Sequence, residues 1–301
     1  MRPQGRAARR RTAGGSGAVS QIDRFRYGRP PSAGPGFTPD IVSLLHAPVA
    51  IGPPPRWLTL AEGPRALAEM AALPMAAPWL ALAPRGDGHG VLVLPGFVAN
   101  DNATAALRRY LRALGHDARG WELGRNFGRR SIGLESERLL ERLEALRAAT
   151  GRPVSLVGWS LGGVMARQLA RAVPEAVRQI VTLGSPFTGN PYASSIARLY
   201  ERVSGDRIDD VFVAAMLAES RTPPPVPSTA IYSHGDGIVA WRNCVEPVSA
   251  TTDNIRVRGS HVGLPFNPAV WFAVADRLAL PEDRWTRFDR SGWRRSVYPA
   301  A

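Results

Sequence analysis

The chain has 301 residues, 45% of them hydrophobic, with one cysteine and a formal net charge of +13. That length suits one large α/β domain with appendages, and the apolar share excludes a disordered chain. One cysteine excludes an intrachain disulfide, and with no lysine in the chain the charge reads as a compositional Arg bias more than a binding function.

Residues 1–36 read as a disordered basic tail, with eight Arg against one Asp in the first thirty positions and no apolar run of signal-peptide type. A nucleic-acid binder would carry a basic stripe interleaved with aromatics on folded elements, so no nucleic-acid partner is expected. Residues 37–89 turn helical but are cut repeatedly by Pro. Ile41, Leu44 and Leu45 share a face, and Leu60, Leu67 and Met70 are expected to continue that packing. Met70 to Ala83 is nearly apolar but is interrupted by Pro74 and Pro78. It falls short of the ~20 residues a spanning helix needs, so it is expected as a buried helix pair or a loop packed on the core. A surface that touches membrane is the alternative.

The regular part runs over 90–186 and 229–281. Val91-Leu92-Val93-Leu94 is a strand buried on both faces, ended by Pro95-Gly96. Ala106, Leu107, Tyr110, Leu111 and Leu114 recur at helical spacing, and His116 to Leu123 is a second strand. A charged helix over Leu134–Ala149 precedes a strand at Val154–Gly158, a helix at Leu161–Ala172 and a strand at 179–183. Residues 187–228 hold no strand. They carry two helical stripes (Ile196, Leu199, Tyr200, Val203, then Val211, Phe212, Ala215, Met216) and end in a proline run, as a cap or lid insertion would. Strands resume at Thr229–Tyr232 and Asn254–Arg258. A helix over Pro268–Leu280 is followed by a polar Arg-rich tail, 282–301. Strands alternating with helices predict a mostly parallel sheet with helices on both faces.

Gly158-Trp159-Ser160-Leu161-Gly162 matches G-x-S-x-G between a predicted strand and a predicted helix, the context that makes a serine project above the strand ends. A serine hydroxyl needs a base. Of the five histidines, only His234 and His261 follow strands downstream of Ser160, and His261 follows the last strand, where a loop can aim it. The imidazole needs a carboxylate to hold its tautomer. Asp236 lies just past a strand and falls between serine and histidine in the chain, whereas Asp253 precedes its strand, and Asp206, Asp209 and Asp210 belong to the insertion. The backbone N–H groups of Phe97 and Leu161 are the expected oxyanion donors. Trp159 and Phe187 are candidates for an apolar acyl pocket, with plain core as the competing role.

These residues resemble the α/β-hydrolase superfamily, in particular its lipase and esterase branch. The carriers are Val91–Phe97, Val157–Gly163, Gly184-Ser185-Pro186 and the Asp236 and His261 segments. Lipases of this branch often have His-Gly where this chain has Pro95-Gly96. The resemblance implies an α/β-hydrolase fold and carboxylic ester hydrolysis through an acyl-enzyme, with no cofactor and no metal. An acyltransferase using the same three residues and a catalytically silent binding protein are the alternatives. The expected partner is a small-molecule or lipid ester, the expected location cytoplasmic, with peripheral membrane contact left open.

Overall fold

The structure is a computed structural model describing residues 51–133, 136–188, 192–195, 197–204 and 219–300. The chain divides into two units, 1–39 and 40–301, and every described residue lies in the second. Six strands form one sheet: β1 (Gly90–Leu94), β2 (Asp117–Gly120), β3 (Val154–Trp159), β4 (Val177–Leu183), β5 (Ser228–Ser233) and β6 (Thr252–Val257). Their order is β2-β1-β3-β4-β5-β6 and every pairing is parallel.

Strands β1, β3, β4 and β5 are buried along their whole length, which is why the sequence shows continuous apolar runs there instead of alternation. The period of two still sorts the side chains. Val91, Val93, Val157, Val181, Ile231 and Ile255 join one core with helix α2 (Ala105–Ala113) and helix α6 (Pro268–Leu278), through Leu107, Leu111, Val270 and Val274. Gly90 lies against Leu146 on the other face, where helices α3 (Glu137–Thr150) and α4 (Leu161–Ala172) pack. A short helix, α5 (Ala197–Ser204), carries the described part of the first insertion stripe, whereas the second stripe, Val211 to Met216, lies outside the described residues, as do residues 1–36. The Arg-rich end, expected as a tail, is anchored by buried Phe288 and Tyr298, whose hydroxyl donates to Ala269 O at 2.9 Å.

The segment before the sheet departs from expectation. Arg56–Leu80 is one continuous helix, α1, with Pro64, Pro74 and Pro78 inside it, not a helix pair or a loop. Each proline sits on the exposed side, where a missing backbone hydrogen bond is cheapest because water can reach the freed carbonyl. Leu60, Leu67 and Met70 do not pack on the core either; they are exposed. Periodicity finds a stripe but does not say which side faces in. Here Leu58, Glu62 and Ala66 face inward, because the polar members of that face have partners waiting on the loops described next.

Candidate active site

The chain leaves β1 toward β2 on one side and reaches β3 on the other, so the strand order reverses between β1 and β3. At such a reversal the loops leaving the two strands part, and the crevice at the carboxyl ends is where open α/β sheets bind ligands. The loop after β1 holds Gly96 and the turn after β3 holds Ser160. A Cβ on Gly96 would stand 3.2 Å from Ser160 Cβ, so the two loops touch.

Ser160 has φ 53° and ψ −122°, a conformation that L-residues avoid at a cost of ~1–3 kcal/mol. The neighbours hold it there. Its N–H donates to Leu183 O at 2.9 Å, and its carbonyl accepts from Gly163 N at 3.0 Å. The turn closes because Gly158 and Gly162 lack side chains. A Cβ on Gly158 would come within 2.3 Å of Gly163 Cα, and one on Gly162 within 2.5 Å of Leu94 O. Strand, turn and helix can approach this closely only with glycine at both places. Leu161 opens α4, so its N–H is among those a helix leaves without an intrahelical partner. Among the described residues none accepts from Phe97 N–H, while its neighbours Val98 and Ala99 donate to Asn126 O and Gly96 O.

His261 and Asp236 meet across the ends of β5 and β6. Asp236 Oδ2 lies 2.6 Å from His261 Nδ1, and both side chains are buried. Asp236 Oδ1 accepts from Ile238 N at 2.9 Å and Val239 N at 2.7 Å, which orients the carboxylate toward the ring. With Nδ1 donating to the carboxylate, Nε2 is left as the basic nitrogen. Burial pushes the imidazole pKa down, but the charge and hydrogen bond of Asp236 and the charge of Glu62 outweigh it, so it ends above its ordinary value. Gly184, following β4, ties this pair to the serine. A Cβ there would meet His261 Nδ1 at 3.1 Å and Asp236 Oδ2 at 3.2 Å, and Gly184 directly follows Leu183, whose carbonyl holds Ser160 N–H. Trp159 Nε1 also donates to His261 O at 3.1 Å.

The other candidates separate cleanly. His234 stacks on Trp241 with ring centroids 4.0 Å apart, and Asp253, in β6, accepts from Phe288 N and Arg290. Phe187 is buried beneath the Arg167 guanidinium, 3.9 Å from its ring centre, and Phe97 leans on Tyr200 of α5. Asp206, Asp209 and Asp210 lie outside the described residues. Among the described residues one cluster has metal-ligand spacing: Asp87, His89 and His116. Asp87 is engaged by Arg152 and Arg178, and His89 uses both ring nitrogens, on Asp87 and Ser155. Two guanidinium groups on its only carboxylate make this a poor cation site.

Sequence reasoning missed the residues that hold the two loops together. Glu62 of α1 is buried, and its Oε1 accepts from His261 N at 3.0 Å and Gly237 N at 2.8 Å, while Oε2 accepts from Val262 N at 2.8 Å. Arg65 donates to Gly235 O at 2.8 Å and Gly259 O at 2.6 Å. Glu69 accepts from Ser260 N and Oγ and from Asn267 Nδ2. Thr59 Oγ1 donates to Gly237 O. The only signal available was the spacing of Glu62, Arg65 and Glu69 at three and four residues, which ordinarily marks a solvated face.

Residues 91–300 match the alpha/beta hydrolase family. Among solved structures, the chain is similar to Aspergillus fumigatus lipase B, with 19% identity and a TM-score of 0.51, over 64% of this chain and 53% of that one. It thus spans about half the length of that lipase. It is also similar to the propeptide form of Bacillus licheniformis lipase BlEst2, with 15% identity and a TM-score of 0.50, over 70% of this chain and 54% of that one. At these identities the likeness is one of fold.

Proposed function

This chain belongs to the alpha/beta hydrolase family, and from that premise we propose that it is a serine hydrolase cleaving carboxylic esters with an apolar acyl group. The reading is supported by the buried 2.6 Å contact of His261 with Asp236, which Trp159, the residue before Ser160, joins to the serine turn by donating its Nε1 to His261 O. In this reading Ser160 Oγ attacks the ester carbonyl carbon as its proton passes to His261 Nε2. The C–O bond to the alcohol then breaks, and the alkoxide takes that proton. Water, deprotonated by the same nitrogen, attacks the acyl-enzyme and releases the acid. Atoms and protons balance without a cofactor. Asp236 keeps Nδ1 protonated and stabilises the imidazolium. The N–H groups of Phe97 and Leu161 meet the oxyanion, which is formed only during reaction and so benefits most from donors already in place. Trp159, against the imidazole, and Phe97 supply apolar wall.

The test uses a fluorophosphonate probe and a series of p-nitrophenyl esters. Wild type is expected to label and to prefer octanoate over acetate, and Ser160→Ala to lose both labelling and turnover. Labelling that survives in Ser160→Ala would remove Ser160 as nucleophile. A preference for acetate would remove the apolar acyl group.

A further inference from the structure

Helix α1 turns most of its charge inward, beside the apolar residues that pack on the core. It has four charged residues: Arg56, Glu62, Arg65 and Glu69. The last three turn inward and bond the loops around Asp236 and His261. The outward side is apolar. Trp57, Leu60, Leu67 and Met75 are exposed by 66, 82, 67 and 87%, with Gly63, Pro64, Ala71 and Pro78 between them. Positions 57, 60, 64, 67, 71, 75 and 78 follow helical spacing, so they form one stripe along an element ~37 Å long. Among the described residues the only charge on that exposed side is Arg56, at its first position. A helix on the surface of a water-soluble protein has the opposite arrangement, and a contiguous exposed apolar face marks a binding surface.

The face continues past the helix. Leu82 is 77% exposed and shares with Trp79, Phe272, Trp293 and Arg294 a groove of about 890 Å³. Trp293, half exposed, packs edge-on against Trp79. Arginines accompany the patch: Arg56 opens α1, Arg294 lines the groove, and the exposed Arg85 and Arg295 follow Leu82 and Trp293 within three positions of sequence.

We propose that the outer face of α1, with Leu82 and Trp293, docks the protein on an anionic lipid surface. Charge selects this occupant. A second copy would bring +13 against +13, whereas an anionic leaflet attracts such a chain. Among the described residues the exposed side of α1 offers no charged group beyond its terminal arginine for a directional protein contact, and tryptophan suits the headgroup boundary. The inward side of the same helix is bolted to the loops bearing Asp236 and His261, so docking would act on a rigid part of the site.

The experiment is flotation of the full-length chain with vesicles of equal parts phosphatidylglycerol and phosphatidylcholine, and with phosphatidylcholine alone. Wild type is expected to float with the anionic vesicles, less as salt rises. The triple variant Leu60→Asp/Leu67→Asp/Met75→Asp should bind at least about tenfold more weakly, with an unchanged melting midpoint and unchanged turnover of a soluble short ester. Quenching of wild-type tryptophan by brominated lipid, reduced in Trp57→Phe, reports the same contact without a charged substitution. Ser160→Ala should float like wild type, so a failed ester-hydrolase reading and a failed docking surface are distinguishable. Wild type that stays unbound, or a triple variant that binds equally, would overturn the proposal. So would a dimer that the triple variant disperses while vesicles remain bare.

Discussion

The Glu62 carboxylate accepts the backbone N–H of His261 at 3.0 Å, across 199 positions of sequence. The same oxygen takes Gly237 N–H, so one buried side chain joins the loop after β5 to the loop after β6. A carboxylate receiving three amide donors is a stiff joint, because each bond is charge-assisted and shielded from water. Its charge also lies close enough to favour the protonated imidazole.

Glu62→Gln keeps the shape but removes that charge and points an amide donor at one of the three N–H groups. The expected result is a fall in kcat of about 10- to 100-fold with KM little changed, since a small misplacement of a reacting group has that effect. Glu62→Asp, which keeps the charge, should recover part of the loss. Steady-state kinetics on a soluble ester, with melting curves to confirm folding, decides it. Equal kcat in Glu62→Gln and wild type would reduce Glu62 to a packing residue.

The pH profile carries its own sign. The imidazole must be neutral to act as base, and its pKa is raised in the folded protein by Asp236 and Glu62 against the effect of burial. Activity should therefore rise with pH through an apparent value above the ordinary 6.5 of histidine. Glu62→Gln should move this limb to lower pH, because the protonated ring loses one of its two stabilising carboxylates. A limb that stays in place in the variant would contradict the electrostatic part of the account.

Asp236→Asn should leave the loop geometry near native, since the amide oxygen can still accept from Ile238 N and Val239 N. It frees the ring to take the wrong tautomer, and kcat is expected to fall by about 10⁴. Fluorophosphonate labelling should slow in parallel. A loss below tenfold would argue that another carboxylate orients the ring.

Arg167 and Glu246 form a fully buried ion pair, and Arg167 also donates to Ser220 O and Thr222 O, each at 2.9 Å. Glu246→Ala leaves a guanidinium without its counter-charge in the core, at a cost of about 3–5 kcal/mol. Urea unfolding measures it. A loss under 1 kcal/mol would show that the carbonyl acceptors suffice.

Cys244 is buried, and burial together with the nearby charge of Asp236 raises its thiol pKa. Iodoacetamide should not label it in the native protein but should do so after denaturation, since the thiolate is the nucleophile. Labelling at native pH without loss of structure would sink this expectation.

The middle of the sheet was legible because β1, β3, β4 and β5 are buried on both faces, and runs such as Val91–Leu94 need no tertiary information to be seen. The serine turn was legible for a related reason. Gly158 is demanded by a contact within a few residues, against Gly163, so that constraint is local, whereas Gly162 answers to Leu94 O on β1 and was legible only through its place in the motif. His261 and Asp236 could be chosen only by chain order and position relative to strands. Their 2.6 Å contact depends on β5 and β6 lying side by side.

What the amino-acid order determined alone was the alternation of strand and helix, the strained turn at Ser160 and the short list of partners for it, all set by local sterics and periodicity. Only the tertiary structure decided which face of α1 points inward. A helix of mixed apolar and charged residues normally turns its charges to water; here Glu62, Arg65 and Glu69 turn inward beside Leu58, Leu73 and Trp79, because they find backbone partners on loops roughly 170 to 200 positions away. Such partners exist only once the sheet has assembled, so no window of sequence around the helix contains them.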